Sequence, residues 1–199
     1  MRNSILAAVA MTAVLPGGAV AQSWYGQWYW GASYSISVPV EKTKDFTADT
    51  SYLGFALEGR KVVNDRLTVG THLGWLVFDS ETNEAATLET TTISGKQFRY
   101  LNAFPILANA HLYLGQPGKT RPYGGLNVGA YIFERRLEIS LIALEDTEWH
   151  FGLAPEAGII LPLKYNVRGM VNAKYNYTFG NDDQPEQSYW SFTVGFGSY

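Results

Sequence analysis

The sequence predicts an all-β fold: an eight-stranded antiparallel up-and-down transmembrane β-barrel, with short periplasmic turns and long extracellular loops. Three observations carry this expectation. Apolar residues alternate with small or polar ones in eight segments, several of them about ten residues long, the length a tilted strand needs to cross a bilayer. The connectors between segments alternate short and long. The polar face is mostly Gly, Ser, Ala, Asn and Thr. Such residues suit the crowded interior of a narrow barrel, whereas a water-facing surface would be rich in Lys and Glu.

Taken in order, Trp28, Trp30, Ala32, Tyr34, Ile36 and Val38 oppose Tyr29, Gly31, Ser33, Ser35 and Ser37. Leu53, Phe55 and Leu57 alternate with Gly54, Ala56 and Glu58, and Leu67, Val69, Thr71, Leu73, Trp75 and Val77 with Thr68, Gly70, His72 and Gly74. The fourth segment sets Phe104, Ile106, Ala108, Ala110 and Leu112 against Asn109, His111 and Tyr113. In the fifth, Leu126, Val128, Ala130 and Ile132 oppose Asn127, Gly129 and Tyr131. The sixth divides Phe151, Leu153, Pro155, Ala157, Ile159 and Leu161 from Gly152, Ala154, Glu156 and Gly158. Val167, Val171, Ala173, Tyr175 and Tyr177 oppose Arg168, Asn172, Lys174 and Asn176 in the seventh. Trp190, Phe192, Val194 and Phe196 oppose Ser191, Thr193, Gly195 and Gly197 in the last. Pro155 has no amide to give to a ladder, which predicts a local bulge there.

The short connectors run from Lys61 to Arg66, Gly115 to Arg121 and Pro162 to Asn166. The long ones, Glu41 to Thr50, Asp79 to Gln97, Arg135 to Glu148 and Asn181 to Ser188, hold most of the acids. The third contains Leu137, Ile139, Leu141, Ile142 and Leu144, too apolar for a free loop; a hairpin above the membrane and a short packed helix both fit it. Aromatics gather near strand ends, as a girdle does: Trp24, Tyr25, Trp28 and Trp30 at the first entry, Trp75, Phe78, Phe98 and Tyr100 around the second long loop, and Trp149, Tyr177, Phe179, Tyr189 and Trp190 at the same end.

The N-terminus reads as an export signal. Arg2 precedes an apolar core from Ile5 to Leu15, and Ala19-Val20-Ala21 matches the small-x-small cleavage pattern. Two regions follow: a cleavable signal over residues 1–21 and a barrel over residues 22–199. Cysteine is absent, so neither disulfides nor thiolate metal sites contribute, and no EF-hand spacing occurs. A net charge of −3 without a basic stripe excludes nucleic acid as a partner. No cofactor and no metal are expected.

The segments RYLNAFPILANAHLYLG, RPYGGLNVGAYIF, FGLAPEAGIILPL and AKYNYTFG resemble those of small eight-stranded bacterial outer-membrane barrels, the OmpA/OmpX-like group. The resemblance covers the mature chain and speaks for architecture rather than activity. It implies residence in the outer membrane among its lipid and lipopolysaccharide, and insertion by the barrel-assembly machinery. It also implies that the last aromatic, Tyr199, is an assembly signal. Tyr199 is nevertheless in phase with Gly197 and Gly195, not with Phe196. Either a bulge shifts the phase, or the outward set changes there.

Glu156, an acid within an apolar run, is the focus of the candidate site. Pairing about the turn at Pro162 to Asn166 places it opposite Asn172 or Lys174, inside the barrel. A buried carboxylate needs a cation. Glu156 with Lys174, joined more loosely by Arg168, Arg99 and His72, is therefore expected to form a polar plug. A structural barrel, or one that meets an extracellular ligand through its long loops, is the favoured function. The same residues could instead line the constriction of a narrow ion- or solute-conducting pore. A lipid A-modifying enzyme is disfavoured, because His72, His111 and His150 have no serine placed beside them as a nucleophile.

Overall fold

The computed structural model describes residues 26–82, 85–88, 91–94, 97–139, 142–164, 166–180 and 185–199. The export signal, Trp24 and Tyr25 lie outside these residues, as does Asn181–Gln184 of the fourth long loop. The elements are β1 (Trp28–Val40), α1 (Glu41–Phe46), β2 (Ser51–Val62), β3 (Leu67–Thr82), β4 (Ala85–Leu88), β5 (Thr91–Ser94), β6 (Gln97–Tyr113), β7 (Arg121–Ile139), β8 (Ile142–Lys164), β9 (Val167–Thr178) and β10 (Gln187–Ser198). Eight of the strands close a barrel in the order β1-β10-β9-β8-β7-β6-β3-β2, each antiparallel to its neighbours, and β4 with β5 forms a separate small hairpin. The seam joins first and last strands without a break, from Trp30 opposite Ser198 to Val40 opposite Ser188.

The burial pattern is inverted relative to a protein core in water. Outward side chains are large and apolar, with Trp30 and Phe196 more than 60% exposed, while Glu58, Arg60, Glu156 and Lys174 are buried inside. A lipocalin-like barrel would show the reverse. Each alternation read from the sequence keeps its face, but two aromatics are corrected: Phe78 and Tyr189 point inward and are fully buried, so they belong to the lumen rather than the girdle. Trp28 and Trp30 stack at 5.6 Å near the short turns. Trp75, Trp149 and Trp190 lie toward the long-loop end, opposite Phe55, Ile132 and Val38.

Proline interrupts the ladder without moving it. On either side of Pro155, β8 meets β9 in one register, Leu153 opposite Tyr177 and Glu156 opposite Lys174, with the rungs at residues 154–155 missing. The bulge expected there is absent; the register shift falls instead between Pro162 and Lys164, beside the turn. Pro105 does the same in β6, where the rungs to β3 lapse between Ile106 and Ala103. The lost N–H removes one bond, and the strand stays straight because both flanks are already fixed. Replacing Pro155 with Ala should close the rung and leave the register alone. A gained hydrogen bond of about 0.5–1.5 kcal/mol is opposed by the ~0.4–1 kcal/mol of chain entropy that Pro removes from the unfolded state. Denaturant titration should therefore differ from wild type by less than about 1 kcal/mol; a shifted 153–177 contact in the variant would refute the account.

The long connectors are more ordered than their composition suggests. The first holds α1. The second extends β3 to Thr82 and carries the β4–β5 hairpin. The third is a hairpin, β7 and β8 pairing as far as Ile139 opposite Ile142, with Ser140 and Leu141 outside the described residues. Charge pairs stitch its two faces: Arg136 to Glu145 at 3.3 Å and Arg135 to Glu148 at 3.1 Å. By contrast, the short turn at Asn64 is fixed locally, its side-chain oxygen accepting from the amides of Arg66 and Leu67, both at 2.9 Å.

Candidate functional site: a charged crossbeam in the lumen

The lumen is filled in three tiers. At the long-loop end Leu76, Phe78, Leu101, Leu107, Tyr131 and Phe133 pack together with Ala103 and Tyr189. At the short-turn end Tyr113, Tyr123, Ile160 and Met170 form a second cluster. Between them lies a network of charges.

Glu156 is its centre. Its Oε1 accepts from the Tyr123 hydroxyl at 2.6 Å, and its Oε2 from Asn127 Nδ2 at 3.1 Å. Lys174 Nζ and His111 Nε2 each stand 3.5 Å from Oε2, and an Arg60 amine lies 3.8 Å from Oε1. Arg60 also donates to Glu58 and, at 2.9 Å, to the Tyr113 hydroxyl. Its guanidinium lies over the rings of Tyr29 and Tyr123, at 5.8 and 5.5 Å. Glu58 in turn holds His72 Nδ1 at 3.0 Å, and Lys174 Nζ is 3.4 Å from the same nitrogen. Two carboxylates thus face two permanent cations, so formal charge cancels within this network when His72 and His111 are neutral. Pairing of this kind is what a buried charge requires.

The strands explain the reach. Glu58 and Arg60 share the inner face of β2, two residues apart. In the closed order, β2 and β8 are four strands apart in either direction, and therefore diametrically opposite. The Arg60–Glu156 contact crosses the whole lumen.

Of the residues singled out in the sequence, Lys174 and Glu156 come together as direct cross-strand partners. Asn172 donates to the Tyr123 hydroxyl at 3.2 Å and so stands one bond removed from Glu156. His72 joins through Glu58. Arg99 does not come near Glu156: its guanidinium donates to the carbonyl of Phe46 at 3.4 Å at the long-loop mouth. Arg168 lies over the ring of Tyr199, 5.9 Å from its centre, at the other mouth. Tyr199 keeps the inward phase, packs 5.3 Å from Tyr29, and follows an unbroken β10 ladder, so neither a bulge nor a changed outward set applies. Arg60, Tyr123, His111 and Asn127 were missed as partners of Glu156, and Glu58 as the acid on the far side of Arg60. Pairing arithmetic finds neighbours on adjacent strands, not groups across a lumen. The available signal was an inward Arg60 in a narrow barrel, which must find an acid.

Little space remains. A cavity of about 30 Å³ lies by Thr68, Tyr113, Arg121, Ile160, Arg168 and Tyr199. Another of about 20 Å³ lies by His72, Leu76, Lys174, Asn176, Tyr189 and Ser191. Each has room for one or two waters.

Among curated proteins none matches the chain. Solved structures do. Neisserial surface protein A is 13% identical, with 86% of this chain and 96% of that one covered and a TM-score of 0.56. Ail, the attachment invasion locus protein of Yersinia pestis, in a complex with the heparin analogue sucrose octasulfate, is 16% identical over 87% of this chain and 98% of that one, with a TM-score of 0.54. A major outer membrane protein from Thermus thermophilus is 11% identical over 85% and 98%, with a TM-score of 0.50. At these identities the likeness concerns the fold. Residues 5–197 match the outer membrane protein beta-barrel domain, and with the closed eight-stranded barrel and its apolar outer wall this shows that the chain belongs to that family.

Proposed function

We propose that the protein is a closed, non-conducting outer-membrane barrel, a rigid scaffold that presents its long-loop surface outside the cell. The observation behind this reading is the lumen, in which an apolar tier, the Arg60–Glu156 crossbeam and an aromatic tier lie in series. A pore needs a continuous polar path, and side chains fill a barrel of eight strands. Outer-membrane lipid and lipopolysaccharide surround the apolar wall, and the barrel-assembly machinery inserts it. An extracellular ligand would meet the long-loop end, where the β7–β8 hairpin is paired as far as Ile139 opposite Ile142. The acids of the long loops, such as Asp45, Asp79, Glu145 and Asp146, do not favour the kind of sulfated ligand seen with Ail. Catalysis is not part of this reading: His72, His111 and His150 each face a carboxylate inside the barrel.

Planar-bilayer recording tests the closed lumen. Wild type and Glu156→Gln are both expected to give no discrete current steps. Steps in wild type whose size changes in Glu156→Gln would establish the pore instead.

A further inference from the structure

At the long-loop mouth α1 is held against β10 and the apolar tier, by contacts that are many for six residues of helix. Thr43 is fully buried; its hydroxyl donates to Gln187 Oε1 at 3.0 Å and accepts from the Ser188 amide at 2.8 Å. The Ser188 hydroxyl reaches Glu41 Oε2 at 2.9 Å. These three bonds all go to the first two residues of β10. Val40, at the N-cap, provides no side-chain cap. Glu41 has φ = 48°, a left-handed conformation that an L side chain adopts at a cost and that clusters at moving or binding segments.

At the other end of α1, Phe46 packs on the apolar tier. Two guanidinium groups, from the neighbouring strands β6 and β7, sit at its ring: Arg99 at 5.9 Å and Arg135 at 5.4 Å. Arg135 is oriented by Glu148, which His150 holds at 3.2 Å, and His150 is anchored to the Phe179 carbonyl at 3.0 Å. The cradle is thus built by β6, β7 and β8, while its occupant comes from a connector. An apolar floor with cations over the ring is the arrangement that binds an aromatic π face. Beneath it, the Tyr189 hydroxyl, fully buried at the edge of the small cavity by His72 and Lys174, has no hydrogen-bond partner.

We propose that this mouth is a binding site for a small single- or double-ring aromatic molecule of the phenol or indole class, that Phe46 is its resident occupant, and that α1 is a lid hinged at Glu41. An entering ring takes the place of Phe46 on the apolar tier and between Arg99 and Arg135, and α1 swings out on its three bonds to β10. Opening the lid does not open the barrel, because the crossbeam and the lower aromatic tier stay in place. The inference is therefore independent of whether the lumen conducts.

The test uses the whole protein in lipid nanodiscs, with indole as the probe and hydrogen exchange of residues 41–47 as the readout. In wild type, indole should accelerate exchange in α1 with a saturating dose response and leave the β6, β7 and β8 amides unchanged. Phe46→Ala empties the cradle, so it should bind indole at least about 10-fold more tightly, since a closed lid lowers apparent affinity by the fraction of open molecules. Adding Arg99→Met to Phe46→Ala should lose most of that gain. Strand content by circular dichroism checks that the variants are folded; if Phe46→Ala is not, Phe46→Val, which leaves most of the ring's place empty, replaces it. Unchanged exchange in wild-type α1 at all indole concentrations would overturn the proposal. So would acceleration that rises without saturation in every strand, the sign of simple partition into lipid, or a Phe46 variant with no gain in affinity.

Discussion

Arg60→Met should lower the unfolding free energy by about 3–5 kcal/mol, the cost of removing one partner from a buried charge cluster. The methionine keeps most of the volume, so the loss is one of charge compensation rather than packing. Arg60 is fully buried, donates to Glu58 and Tyr113, and stands 3.8 Å from Glu156. Without it, Lys174, 3.5 Å from Glu156, is the one permanent cation left in a network that holds two buried carboxylates. Urea titration of the protein refolded into lipid vesicles measures the loss. A second change, Glu58→Gln, removes the carboxylate that Arg60 compensates most directly, and should recover at least ~1 kcal/mol, within the range of coupling between residues in one network. A loss below about 1 kcal/mol in the single variant would mean that water, not Arg60, compensates the carboxylates.

Val194→Arg is the matching experiment on the outer wall. Val194 is 57% exposed, lies between Phe192 and Phe196 on the outer face, and pairs with Tyr34 on one side and Val171 on the other. An arginine at the middle of a lipid-facing strand costs about 2–4 kcal/mol. On a wall facing water the same change would stay within ~0.5 kcal/mol. The measurement is again urea titration in vesicles, and a neutral result would overturn the assignment of this face to lipid.

The sequence made the wall legible because a strand has an integral side-chain period. Once Trp28, Trp30 and Tyr34 are set outward, Tyr29, Ser33 and Ser35 must face in, whatever the rest of the chain does. The pairing of Glu156 with Lys174 was within reach for the same reason, since a short turn fixes the register of its two strands. The cross-lumen contacts were not. That Arg60 meets Glu156 depends on how the eight strands curve and close, which no local period encodes. Arg99 illustrates the opposite error. It shares the inward face with the plug residues but enters near the start of β6, many rungs from Glu156, and depth in the lumen counts for as much as facing it. The connectors were hardest to read. Glu41-Lys42-Thr43-Lys44 looks like a solvated loop until Thr43 is seen buried against Gln187 and Ser188, a contact made by the barrel seam and invisible in the local text.

The crossbeam also bears on how the barrel is put together. Glu58 and Arg60 neutralise one another within β2, and Glu156 faces Lys174 across the β8–β9 hairpin. Each contributing segment is therefore balanced before the two meet. Neither has to carry net charge into the bilayer while the other is still missing, and the early and late parts of the chain can enter in either order. Closure then brings two balanced pairs together, and the contact between Arg60 and Glu156 ties β2 to β8 across the lumen.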